Sequence, residues 1–223
     1  QSATTMHTRK PTAVPAATTA VSDEIGHGVD QQTILRRSIA ERGFLAVGVP
    51  IPADRPGQHE QVAAELAEAF GGQLVDVTAH LIDAMRTLAQ QQGISWDLVR
   101  GADAADAAPM DVRGLRAVID RVVPQLRKEL KSNVFDGNAH DAPLILTEVS
   151  PLARYGHLDV LATLSDLAAP RRRPVWVILP QLRGQTGALV DRKPIQLGSP
   201  GGQFLVWKQI PDLVPARDDE GDR

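Results

Sequence analysis

Pro143-Leu-Ile-Leu-Thr-Glu148 opens the stretch that decides the fold, and Pro174-Val-Trp-Val-Ile-Leu-Pro-Gln181 closes it, with a helical pattern from His157 to Ala169 between them. Both flanking runs are almost wholly apolar and do not alternate. A strand with an uninterrupted apolar run is covered on both faces, as in a parallel sheet sandwiched by helices; a half-exposed strand alternates. Strand, helix, strand is therefore one βαβ unit.

Outward from this unit the rest of the chain supplies more of the same. A helix is expected over Asp30 to Glu41, with Ile34, Leu35 and Ile39 on one side and Asp30 as its cap. Gly43 ends it, and Phe44 to Pro50 reads as a buried strand running into a Pro/Gly loop, Ile51 to Gly57. A helix over Gln58 to Phe70 spaces Val62, Leu66 and Phe70 four apart, and Gly71-Gly72 stops it. Leu74 to Val77 forms a short second strand, and Thr78 caps a helix from Ala79 to about Gln92. Ile94 to Val99 is irregular or helical, and Gly101 to Pro109 is a loop. A long helix then covers Val112 to Lys131, where Pro124 introduces a kink. After the βαβ unit, Ile195-Gln-Leu197 and Gln203 to Trp207 flank the glycine-rich Gly198 to Gly202 as a hairpin or two edge strands. This order predicts an α/β fold of three layers, with a mainly parallel sheet of about five strands. Residues 1–29, rich in Thr, Ala and Pro, read as a tail or linker, 30–215 as one domain, and 216–223 as a frayed charged end.

Composition narrows the function classes. The 223 residues are 43% hydrophobic but only 4% aromatic, so Leu, Val, Ile and Ala must build the core. The net charge of -3 gives no general attraction to nucleic acid. Having no cysteine, the chain offers neither disulfides, thiolate nucleophiles nor Cys-based zinc sites. No apolar run reaches the ~18 residues of a membrane helix, and no secretion signal core is found at the start, which makes a cytoplasmic setting the expectation.

In nucleotide hydrolases of the P-loop class, strands like the two above carry an acidic metal-binding pair and a polar sensor. Here Thr147-Glu148 stands where an Asp-Glu pair is wanted. A phosphate cradle after the first strand needs glycines and a Lys. The chain has Pro50, Pro52 and Pro56 there, with a single Gly57 and no Gly-Lys-Ser/Thr. The architecture expected is thus a degenerate P-loop or AAA-type core. Glu148 either activates a water or is structural, pairing with Arg154 or capping a turn.

Ser150-Pro-Leu-Ala-Arg-Tyr-Gly156 places the only tyrosine, Tyr155, beside Arg154 in a loop after a core strand. Loops on a rigid scaffold carry function, and Arg and Tyr are favoured at interfaces; alternatively Tyr155 packs on the next helix. Arg171-Arg-Arg173 reads as a solvated turn in preference to a phosphate contact. The histidines at 7, 27, 59, 80, 140 and 157 show no metal-ligand spacing, and no Gly-x-Ser-x-Gly elbow occurs.

The strings Pro-Leu-Ile-Leu-Thr-Glu, Leu-Ala-Arg-Tyr-Gly-His-Leu-Asp-Val-Leu-Ala-Thr-Leu and Pro-Val-Trp-Val-Ile-Leu-Pro-Gln resemble a module of bacterial phage-defence loci of the BREX/Pgl type. So do Arg42 to Val49 and Gly93 to Arg100 with Asp103. The resemblance is to the C-terminal, non-kinase part of PglW-type serine/threonine kinases, and the element order is similar to that of BrxB. It extends over roughly residues 30–212. No Gly-rich loop, His-Arg-Asp or Asp-Phe-Gly is found, so kinase activity is not implied. What the resemblance implies is a non-catalytic scaffolding or interaction module contacting PglZ- or PglX-like partners; separately, the residues themselves lead to the expectation of no cofactor and no metal. Arg154, Tyr155 and Arg183 are the expected interaction residues. The alternative is a nucleotide-binding or hydrolysing protein using Arg55, Glu148 and Gln181 in an unusual site. Direct nucleic-acid contact through Arg171 to Arg173 and Arg183 is the weakest expectation.

Overall fold

β1 (Phe44–Pro50) and β4 (Val175–Gln181) run parallel, with Phe44 opposite Val175 and Pro50 opposite Gln181. In the computed structural model of the protein, which describes residues 30–208, they form the centre of one sheet. β3 (Leu144–Thr147) lies beyond β4, and β2 (Gln73–Asp76) beyond β3. β7 (Phe204–Val206) closes the other edge against β1, giving the order β2-β3-β4-β1-β7 with every pairing parallel. The run Phe44 to Val49 is buried at every residue, as is Val175 to Leu179, which is why these strands read as continuous apolar runs.

Successive strand side chains point to opposite faces, so each apolar run feeds two cores. On one face Leu45, Val47, Val49, Ile145, Trp176 and Ile178 pack under α1 (Gln31–Ala40) and α2 (Gln58–Phe70). Trp176 is completely buried there; its indole Nε1 donates to Ser38 Oγ at 2.6 Å, and its ring meets Phe70 edge-on at 5.2 Å. On the other face Phe44, Ala46, Leu146, Val177 and Leu179 pack against a larger set of helices. These are α3 (Val77–Gln91), α4 (Trp96–Gly101), α5 (Pro109–Phe135), α6 (Ser150–Arg154) and α7 (Asp159–Ser165). The result is the expected three-layer α/β sandwich.

Several local expectations are corrected. α3 starts at Val77, and Asp76, not Thr78, caps it by accepting from Ala79 N at 2.8 Å. Ser150 to Arg154 is not a loop but the helix α6, whose first turn accommodates Pro151. Gly156, at φ 84, separates it from α7, which is shorter than the helix expected over His157 to Ala169. Ile195 to Leu197 is not a strand. A small antiparallel hairpin, β5 (Leu189–Val190) and β6 (Lys193–Pro194), forms just before it, and β7 joins the main sheet alone. The segment between is tied to the end of α7: Ser165 Oγ donates to Gln196 O and Gln203 Nε2 to Ser165 O. At Gly198 any Cβ would fall 2.8 Å from Leu167 Cγ. α5 keeps Pro124 in its interior and extends past both expected ends. The readings of 1–29 and 216–223 fall outside the described residues.

A further correction concerns Arg171 and Arg173. They are not a solvated turn. Arg173, only 6% exposed, donates to Ala142 O, Gln73 Oε1, Asn133 Oδ1 and Pro143 O. Arg171 donates to Arg42 O, Leu164 O and Asp166 O. Between them the two guanidiniums lace the amino ends of β1, β2, β3 and β4 together. Burial lowers both of their pKa values from the usual arginine range.

Candidate functional site

The carboxyl ends of parallel strands are where α/β sheets open a crevice for ligands, and here that edge gathers most of the irregular chemistry. After β1 the chain turns through Ile51 to Gly57 by backbone bonds Arg55 N to Pro52 O and Gln58 N to Arg55 O. Arg55 itself stays exposed, its Nε 3.8 Å from Asp54. α2 then starts at Gln58, and its first turn carries His59 inward.

His59 Nε2 lies 2.8 Å from Glu148 Oε1. A carboxylate can only accept, so Nε2 holds the proton of this bond and Nδ1, buried, has no hydrogen-bond partner. Glu148 immediately follows β3 with φ 50, and Thr78 Oγ donates to its carbonyl at 2.6 Å. A left-handed non-glycine residue costs on the order of 1 kcal/mol or more and persists only where surroundings over-determine it. The expected Glu148–Arg154 pair does not form; His59 takes Glu148, and Arg154 goes elsewhere. With Glu60, one ligand atom from each of His59, Glu60 and Glu148 falls within 4.8 Å of the others. An imidazole and two carboxylates suit a first-row divalent ion. Sequence spacing gave no hint of this cluster, because it joins a helix start to a strand end 89 residues away.

Gln181, at the end of β4, donates from Nε2 to Gln185 O, while Gln185 Oε1 accepts from Leu182 N. The nucleotide reading had grouped Arg55, Glu148 and Gln181; the structure gives each of them a different partner. Beyond Glu148 a cavity of about 370 Å³ opens, lined by Glu148, Ser150, Leu179, Leu189, Asp191 and Arg192 among others. Asp191 and Arg192 form the two-residue tip of the β5–β6 hairpin at φ 47 and φ 65. Positive φ at both tip residues is the demand of a type I′ turn, normally met by Asn-Gly. Ser150 Oγ donates to Asp191 Oδ2, and Lys193 Nζ donates to Ala153 O at 2.7 Å, which fastens the hairpin to α6.

Arg154 and Tyr155 sit on the far side of α6, and both reach Asp103. Arg154 Nη2 is 2.9 Å from Asp103 Oδ1, and the Tyr155 hydroxyl donates to the same oxygen at 2.9 Å. The Arg154 guanidinium also lies 5.4 Å from the Tyr155 ring centroid, and Arg116 Nη2 donates to Tyr155 O. Burial first, and then the Asp103 carboxylate, push the Tyr155 phenol above its ordinary pKa. This cluster borders a groove of about 450 Å³ between α3, α4 and α5, floored by Leu81, Met85, Trp96, Val99 and Ile119. Sequence reading singled out Arg154 and Tyr155 but not their common anchor role for Asp103. Arg183 stands exposed in the turn after β4 and lines neither cavity.

Fold and edge together define a three-layer α/β protein with an all-parallel five-stranded sheet. No helix among the described residues is long and apolar enough to cross a membrane. The chain is similar to a protein of Streptomyces coelicolor described as "Probable kinase PglW", with 27% identity over 151 residues. That match takes in 66% of this chain but 9% of the PglW protein, so it relates the chain to one small part of it. No protein-family model matches the sequence, and no solved structure matches it.

Proposed function

We propose that this chain is a Pgl-type phage-defence protein acting as a non-catalytic interaction module. The similarity to one stretch of PglW carries the assignment to the system. The surface follows from chemistry: Arg154 and Tyr155, anchored on Asp103 beside an apolar groove, combine the residue types that dominate binding hot spots with a concave apolar neighbour. The β1–α2 turn supports the reading of a degenerate P-loop or AAA-type core, since its three prolines remove N–H groups that a phosphate cradle would use. The sheet order, with β1 between β7 and β4, agrees with an AAA-type core.

The test is made in the host. Phage plating efficiency is compared for wild type, a deletion, and the double variant Arg154→Glu with Tyr155→Ala, alongside co-purification of PglZ- or PglX-like proteins. Loss of both resistance and co-purification in the double variant, at unchanged melting temperature, is expected. Equal plating with and without the chain, and no Pgl protein recovered, overturns the proposal.

One observation favours the nucleotide reading as a second line: His59, Glu60 and Glu148 have the makeup of a divalent-cation site at the edge where nucleotides bind in α/β folds. It predicts a nucleotide-dependent rise in melting temperature with magnesium or manganese, since a ligand at a hundred times its Kd adds ~2.7 kcal/mol. A flat response to ATP and GTP, unchanged by Glu148→Gln, removes it.

A further inference from the structure

We infer that the cavity between the carboxyl edge of the sheet and the β5–β6 hairpin binds a free α-amino acid with a large apolar side chain. Four non-glycine residues among those described take positive φ, namely Arg42, Glu148, Asp191 and Arg192, and the last three all line this one cavity. Strained backbone of this kind concentrates at ligand sites. Arg192 makes the sharpest case. It occupies a turn position that glycine fills without strain, yet among the described residues its guanidinium has no hydrogen-bond or ion-pair partner. The ties of the hairpin to α6 hold its tip in this turn, and the exposed Arg192 guanidinium on the cavity wall is thereby left available to an anionic group of a ligand.

The remaining walls set the rest of the ligand. Glu148 uses one carboxylate oxygen on His59 and Asp191 uses one on Ser150, so each keeps a second oxygen to accept from a donor. Leu179, Leu182, Leu189 and Val190 supply an apolar slot. A molecule that answers all three carries an ammonium, an anion and an apolar body, and a volume of about 370 Å³ suits one small molecule of that size. An α-amino acid has its ammonium and carboxylate on one carbon and its side chain free to enter the slot. With no cation at the His59, Glu60 and Glu148 cluster, a nucleotide fits poorly, because its several negative charges would meet two carboxylates and only one guanidinium. The inference does not depend on the interaction role proposed above. The two sites are nevertheless mechanically adjacent, since Ser150 lines both cavities and α6 ends in Arg154.

Binding is measured on the purified chain by calorimetry and by thermal shift, using L-leucine, L-phenylalanine and L-tryptophan at millimolar concentration. Phenethylamine serves as the phenylalanine analogue without a carboxylate, and ATP as the nucleotide arm. At least one of the amino acids is expected to bind. Arg192→Gly should weaken it about tenfold or more, the scale of a lost charge-assisted hydrogen bond. Because glycine suits the turn, the melting temperature of the unliganded variant should hold or rise, which separates lost binding from lost folding. Phenethylamine should bind wild type and Arg192→Gly equally. No response to any of the three amino acids overturns the inference. So does undiminished binding by Arg192→Gly, or binding of ATP alone.

Discussion

The two ends of the central sheet use the same kinds of residue to opposite purposes. At the amino end Arg171 and Arg173 spend their donors on backbone carbonyls and side-chain oxygens contributed by the segments that precede β1 to β4. At the carboxyl end Glu148, Asp191 and Arg192 hold unfavourable backbone angles, and His59 Nδ1 is buried without a partner. The amino end is the more fully paired, though not wholly so: Arg42 there takes φ 48 and its buried Nε has no partner, while the other buried polar groups find one. The carboxyl edge carries three of the four strained non-glycine residues and two of the three buried unpaired side-chain atoms among the described residues, and in α/β folds that is the edge where ligands bind. Arginine alone therefore says nothing of role. Its partners do.

The contrast can be broken most directly at Arg173. Arg173→Leu removes a buried guanidinium that bonds Ala142 O, Pro143 O, Gln73 and Asn133, and should cost about 2–3 kcal/mol in urea denaturation. A loss below about 1 kcal/mol would mean that the amino edge is not the structural one. Arg171→Leu, which loses bonds to three carbonyls from a less buried guanidinium, should cost about 1–2 kcal/mol by the same measurement. The carboxyl edge should respond with the opposite sign. Asp191→Asn with Arg192→Gly installs the Asn-Gly pair that the turn geometry prefers, and should raise stability by about 1 kcal/mol. Destabilisation there instead would show the hairpin tip to be structural.

The smallest expected effect lies at the groove. Folding raises the Tyr155 pKa, so the folded state holds the phenol proton more tightly than the unfolded state does. The associated stability is present below the unfolded value of about 10 and is lost as pH rises through the folded one. Denaturation midpoints followed above pH ~10 should therefore fall more steeply for wild type than for Tyr155→Phe. Parallel curves would show that neither burial nor Asp103 raises the phenol's pKa on folding.

How much of this was legible follows from the range of each interaction. Glu148 was visible as a site because its place at a strand end is a local property, whereas its partner His59 was not. The pair joins elements 89 residues apart. Arg171 to Arg173 read as solvent-facing because a run of charge before a strand usually is; only the convergence of three other segments, at Gln73, Asn133 and Ala142 with Pro143, supplies the acceptors of Arg173. Arg154 and Tyr155 were found from residue type, but their pairing with Asp103 depends on α4 and α6 meeting.

The amino-acid sequence by itself determined the class of fold. Continuous apolar runs at Phe44 to Val49 and Val175 to Leu179 can be covered only by helices on both faces, and helical periods between them supply those helices. Tertiary structure alone decided which edge of the sheet carries more of the strain, that β7 joins β1 in parallel, and that His59, Glu60 and Glu148 meet. The physical reason is range: apolar periodicity acts between neighbours along the chain, while hydrogen bonds and ion pairs are settled by whatever the folded chain brings within about 3 Å.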